Sequence, residues 1–186
     1  AMYGNAATNP GAGASSPAAN VIVVPSLPGA GIADNNFGEL GGALSGKVFL
    51  DQNNDGLPTG EPGLPGVSIT LSGQDAAGQP VNRTVQTDAN GVWAFFNLPA
   101  SGPGGYTVTE QLPQPVYQGA TTTNGITTAG TSGGQATLPT TTPSAIAAIV
   151  LPAGRAATDY HFGEVLGASI GGSVYIDRNN NGSMDS

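Results

Sequence analysis

Hydrophobic residues along this chain arrive in short runs that alternate with polar ones. Val67-Ser68-Ile69-Thr70-Leu71 and Tyr106-Thr107-Val108-Thr109-Glu110 repeat with period two, the signature of a strand buried on one face. Val81–Thr87 and Val92–Phe96 flank Asp88-Ala89-Asn90-Gly91, and Asn-Gly between two such runs predicts a hairpin. By the same alternation Trp93 and Phe95 share one face of their strand and Phe96 takes the other. Ala43–Leu50 is an opening strand; Ala145–Leu151 and Ala157–Phe162 are closing strands; Val21–Val24 and Asp34–Glu39 are short strand candidates. Residues 1–19 carry no periodicity, and 118–144, rich in Thr and Gly, read as a long loop or a poorly patterned strand pair. No segment keeps a helical period over three turns, and Gly and Pro interrupt the chain throughout. Many short strands with frequent turns predict an all-β sandwich.

Two of these runs are nearly the same sentence. Phe37-Gly38-Glu39 leads through Gly46-Lys47-Val48-Phe49-Leu50 to Asp51-Gln52-Asn53-Asn54-Asp55-Gly56, and Phe162-Gly163-Glu164 leads through Gly172-Ser173-Val174-Tyr175-Ile176 to Asp177-Arg178-Asn179-Asn180-Asn181-Gly182. Self-similarity at so long a period marks a tandem array. We therefore expect the tail of one unit at 1–39, a complete unit at 40–164 and the head of a third at 165–186.

Composition narrows the function. The 186 residues carry a net charge of −8, which argues against nucleic acid and anionic membranes and suits divalent cations. Without cysteine there is no disulfide and no thiolate metal site. The longest apolar run, Ala145–Leu151, is too short to cross a bilayer, so no membrane insertion of this segment is expected.

The acidic residues gather after the opening strand. Asp51, Asn53, Asp55, Thr59 and Glu61 place side-chain oxygens at alternate positions, Gly56 supplies a sharp turn, and Leu57 offers a backbone carbonyl. Calcium takes six to eight oxygen ligands, and a loop of this pattern can wrap it; magnesium, with its rigid octahedron, suits it less. The second copy offers Asp177, Asn179, Asn181, the Ser183 carbonyl and Asp185, with no glutamate to close it, so weaker binding is expected there. The competing reading is that Asp-Asn-Gly strings simply make good turns; two copies, each after an apolar strand, favour metal.

The run Gly46–Gly56 followed by Gly60-Glu61-Pro62-Gly63-Leu64-Pro65-Gly66-Val67, with Thr87–Phe95, Leu98 and Tyr106–Glu110 beyond it, resembles the B-type repeats of serine-aspartate-repeat surface proteins, which belong with the collagen-adhesin B-type domains. The resemblance implies an immunoglobulin-like or transthyretin-like β-sandwich, calcium at Asp51, Asn53, Asp55 and Glu61, and tandem copies forming a stalk on an extracellular bacterial surface. One departure stands out: between Gly56 and Glu61 the loop is a residue shorter than the family pattern, with Thr59 where a second acidic residue is usual. Asp88 is a further, weaker metal candidate. Some relatives join Lys and Asn covalently beside a glutamate; Lys47 is the only lysine and Glu110 matches the glutamate-bearing strand, but Ser173 replaces Lys47 in the second copy.

Enzyme readings fare poorly. His161, the only histidine, is Asn36 in the first copy, which does not suit a general base. An aromatic sugar platform at Trp93, Phe95 and Phe96 competes with core packing, and core packing is the expectation for Trp93. The expected function is a calcium-stiffened stalk or spacer repeat of an adhesin or fibre. Its partners would be neighbouring repeats or, through strand exchange, like chains in a filament. The alternative is a module whose 118–144 segment binds a glycan or a host protein.

Overall fold

Alternation sets which way each strand faces, and the chain forms a sandwich because two such half-apolar sheets cover each other. A computed structural model describes residues 4–9, 15–18, 21–23, 36–111, 120–167 and 170–184, with side chains from residue 41 onward. Among these the elements are β1 (Gly4–Asn9), β2 (Ser15–Ala18), β3 (Val21–Val23), β4 (Asn36–Leu40), β5 (Gly42–Leu50), β6 (Ser68–Asp75), β7 (Pro80–Gln86), β8 (Val92–Leu98), β9 (Ser101–Gln111), β10 (Thr122–Thr128), β11 (Gln135–Ala136), β12 (Ala145–Ile149) and β13 (Ala156–Leu166), with no helix. One sheet has the order β10-β13-β5-β8 and the other β11-β12-β9-β6-β7; β1 pairs with β4 and β2 with β3 in separate two-stranded ribbons.

The core lies between the two larger sheets. Leu44, Val48 and Leu50 of β5, Trp93 and Phe95 of β8, and Tyr160 and Phe162 of β13 face Ile69, Leu71, Tyr106, Val108, Ile146 and Ile149. Trp93 is core, as its alternation requires, and Phe96 on the opposite face is exposed. The predicted hairpin forms: Gly91 turns at φ +76°, where a side chain would be strained, and Asp88 Oδ1 accepts the Asn90 and Val92 amides. Those bonds give Asp88 a turn-capping role and explain its place without a metal.

One pairing shapes everything that follows. β5 and β13, the first and last strands of the sandwich, lie side by side and parallel, with Phe162 opposite Val48 and Glu164 opposite Leu50. Elsewhere the ladders are antiparallel.

The structure differs from the sequence expectation at two places. The 118–144 segment holds two strands, but they do not pair with each other: β10 joins β13 in one sheet and β11 joins β12 in the other. β10 escapes a hydropathy reading because its buried positions are Thr122, Gly125 and Thr127. Residues 1–19 contain β1 and β2 although their sequence shows no alternation. Val24, Asp34 and Asp185 lie outside the described residues.

Candidate metal loop

At Leu50 strand β5 ends and Asp51 begins the loop. The Asp51 amide donates to the Glu164 carbonyl at 2.7 Å, so the first loop residue is fixed to the last strand of the sandwich. Its carboxylate turns inward and is 1% exposed. Gly163 leaves the room it needs: a Cβ there would sit 3.1 Å from Asp51 Oδ2 and 2.9 Å from the Ile126 carbonyl.

The loop then winds around its own carboxylates. Asp51 Oδ1 accepts the Asp55 amide (3.0 Å) and Oδ2 the Gly56 amide (2.8 Å). Asn53 Oδ1 accepts the Asp55 amide and Asp55 Oδ1 the Leu57 amide. Asn54 and Gly56 adopt positive φ of 56° and 75° to allow this winding. A turn from Pro58 to Glu61 brings Glu61 back, and its Oε1 accepts the Gln52 amide at 2.8 Å.

The result gathers carboxylate oxygens of Asp51, Asp55 and Glu61 within 4.8 Å of one another. Like charges so close repel unless a cation sits among them. Glu61 Oε2 is buried with no hydrogen-bond partner, and an unsatisfied buried carboxylate oxygen is costly. Hard oxygen donors so gathered could hold a divalent cation. Asn53 stands beside the cluster through its Nδ2 contact with Asp55 Oδ2. Leu57 and Thr59 are exposed on the outer side of the loop, and Leu57 enters the network through its amide.

Two supports were not legible in the sequence. Lys47 is half-buried; its Nζ donates to the Glu61 carbonyl at 3.0 Å and stands 6.0 Å over the Phe49 ring. Phe49 itself is fully buried, away from the main core, with His161 edge-on at 6.3 Å. Lys47 therefore ties down the closing turn on the outer face of the sheet, whereas Glu110 points between the sheets. That separation removes the geometric basis for a Lys47–Asn cross-link formed beside Glu110. The second support comes from β10: Thr128 Oγ1 donates to the Gly56 carbonyl at 3.0 Å, and a Cβ on Gly56 would strike Ile126.

Behind the loop lies an acid pair. Glu110 of β9 and Glu164 of β13 both face inward and are 2% and 0% exposed. Apart from each other, their four carboxylate oxygens meet no hydrogen-bond partner among the described residues. Burial, and then the neighbouring Glu164 carboxylate, push the Glu110 carboxyl well above its usual range. Burial raises Glu164 to about 7. Burial favours the protonated form of both acids.

The second loop repeats the winding. Asp177 accepts the Asn181 and Gly182 amides, Asn179 the Asn181 amide and Asn181 the Ser183 amide. The Gly182 amide, followed by those of Asn181, Asn180 and Asn179, holds the Asp177 carboxyl below the usual carboxylate range. Among the described residues no cluster of carboxylates forms around it. An open depression lined by Leu50, Asp51, Gln52, Asn54, Val165 and Leu166 flanks the first loop at the end of β13.

Compared with known families, residues 42–162 match the model of the SdrD B-like domain. No curated protein matches the chain.

Proposed function

We infer the role of this chain from one premise: a match over about two thirds of its length places it in the SdrD B-like domain family. That is a family of repeat domains of bacterial surface proteins, structural rather than enzymatic. No helix among the described residues is long and apolar enough to cross a membrane.

The chain acts as a calcium-stiffened stalk or spacer, outside the cell, in an adhesin or fibre. The observation that carries this reading is the seat of the loop. Asp51 directly follows the end of the first strand, and its amide is bonded to the Glu164 carbonyl in the last. A cation held by Asp51, Asp55 and Glu61, with Asn53 beside them, would bind a loop that fastens the entry of the unit to its exit. Calcium supplies the positive charge that cancels the repulsion among these carboxylates. Because β5 and β13 run parallel, tension applied along an array of units loads their hydrogen bonds together, in shear, rather than one at a time.

The alternative binding module finds less support. Its proposed contact segment spends β10 and β11 on the two sheets and Ile126 and Thr128 on bracing the loop.

Thermal melts in excess calcium, in magnesium and in chelator test the proposal. Metal at a hundredfold its Kd adds about 2.7 kcal/mol to the folded state, which raises the melting temperature by about 8 °C for a protein of this size. Asp55→Ala should abolish the calcium increment. Equal melts in all three solutions would reduce the loop to a turn.

A further inference from the structure

A row of three side chains crosses the outer face of the sheet beside the metal loop. Thr128 on β10 opposes His161 on β13, and His161 opposes Lys47 on β5. Residues paired in this way stand side by side on one face, on strands about 4.8 Å apart. Both ends of the row grip the loop. Thr128 Oγ1 donates to the Gly56 carbonyl, and Lys47 Nζ donates to the Glu61 carbonyl at 3.0 Å and the Pro58 carbonyl at 3.4 Å. The middle of the row is the only histidine in the chain. So between the two residues that hold the loop stands the one side chain whose ordinary charge change falls near neutral pH.

The site suits a neutral ring. His161 is half-buried, with the buried Phe49 edge-on at 6.3 Å. Its Nδ1 is buried and has no hydrogen-bond partner among the described residues. The charged groups acting on it are Asp159 of its own strand and Lys47 of β5. β10 presents the uncharged Thr128, and the loop presents its Pro58 and Glu61 carbonyls to Lys47. Burial lowers the imidazole from its usual value; Asp159 opposes that and Lys47 adds to it. A protonated ring would set a second positive charge beside Lys47, and like charges at paired positions of adjacent strands repel. The strain falls on the tether that Lys47 makes to the closing turn, which carries Glu61. The same charge also opposes a cation in the loop.

We propose that His161 is an acid-release element of the calcium loop: its protonation and the binding of calcium at Asp51, Asp55 and Glu61 oppose each other, through Lys47. The unit then holds calcium at neutral pH and loosens its grip in mildly acid surroundings. This rests on the calcium reading above and adds its regulation. Such coupling is reciprocal, so the factor by which a proton weakens calcium is the factor by which calcium weakens the proton. The copy of this phrase at 36–39 has Asn36 in the place of His161, and an amide does not titrate, so the element belongs to this unit and not to every copy.

One histidine gives one imidazole signal, so an NMR titration reads its midpoint in the unaltered chain. Saturating calcium should move that midpoint down by about 0.7 of a pH unit, which corresponds to a calcium Kd about fivefold weaker for the protonated form. Calorimetry at about pH 7.5 and about pH 5.5 gives the other half of the cycle. His161→Asn, the residue of the first copy, should bind calcium like the parent at the higher pH and lose about fivefold less affinity at the lower one. Any weakening that remains in His161→Asn belongs to the carboxyls. A histidine midpoint that calcium leaves in place although calcium binds would overturn the proposal and leave the calcium loop standing. So would a loss of affinity on acidification that is equal in His161→Asn and the parent. Absence of calcium binding at the higher pH would instead overturn the calcium reading, and the proposal with it.

Discussion

Asn54 and Asn180 turn at φ +56° and +53°, and Gly56 and Gly182 at +75° and +76°. Asp51 and Asp177 accept the corresponding amides at 2.8 and 2.7 Å. One of these loops is anchored against two strands of a sandwich, and the other follows 170–176, which pair with no strand among the described residues. Their agreement shows that the winding is written in about six local residues. Their difference lies in what converges on them. Asp51 is buried against Gly163 and Glu164, Glu61 returns to it, and Lys47, Ile126 and Thr128 brace the outside. Shape is local; a closed set of carboxylates needs the fold.

The harshest way to break the comparison is to delete the first aspartate of each loop. Asp51→Ala leaves the buried Gly56 amide without its acceptor and the Asp55 amide with Asn53 Oδ1 alone. Orphaning the Gly56 amide costs about 1–3 kcal/mol even with no metal present, a fall of about 6 °C in the melt of the sandwich. Asp177→Ala should leave that transition where it is. Equal losses would mean that the packed surroundings of Asp51 contribute nothing.

A second experiment asks what the packed loop gains from the acid pair behind it. The folded Glu164 carboxyl, at about 7, lies above its value of 4.5 in an unfolded chain. The native state therefore holds a proton that the unfolded state has released, and stability present below about pH 4.5 is lost as pH rises through about 7. His161 has the opposite sign: burial lowers it, so its contribution is lost as pH falls below about 6.5. In chelator, the melting temperature should therefore fall between pH 6.5 and 8.5. Glu164→Gln should flatten that fall and melt higher than the parent at pH 8.5, by on the order of 3 kcal/mol. A parent whose stability is flat across this range would remove the buried pair as a source of pH dependence.

These two tests mark how far the sequence was readable. The strands with aliphatic or aromatic alternation, β5, β6, β8 and β9, were visible because burial on one face imposes period two on residues that hydropathy can see. β10 was not, because threonine and glycine fill its inward positions. The oxygen-rich loop was visible, and Asp51, Asp55 and Glu61 do meet. Its seat was hidden by the repeat itself. Phe37-Gly38-Glu39 precedes Asp51 along the chain, so the phrase and the loop read as one sentence. In space the loop at Asp51 rests on Gly163 and Glu164, more than a hundred residues later. The parallel pairing of first and last strands causes this, and no local pattern announces it. The bracing role of Lys47 was hidden for the same reason: its partners, the Pro58 and Glu61 carbonyls, come from a loop that folds back over the sheet.

The smallest effect sharpens the comparison most. Both loops leave one glycine carbonyl needing a donor, and they find it differently. The Gly182 carbonyl takes the Tyr175 hydroxyl from seven residues back, at 2.6 Å. The Gly56 carbonyl takes the Thr128 hydroxyl from β10, at 3.0 Å, because the residue in the place of Tyr175 is Phe49 and has no hydroxyl to give. Thr128→Val keeps the branched shape of a strand residue and deletes the donor, so the loss should be about 1 kcal/mol. If the two loops are equivalent devices, Phe49→Tyr should restore a local donor and recover part of that loss. In the parent, where Thr128 already serves, the same change should add little. Melts of the two single variants and the double variant give the coupling between the positions, which should be of the order of 0.5–1 kcal/mol. Additive losses would mean that the fold of the sandwich holds the first loop in a way its isolated twin cannot copy.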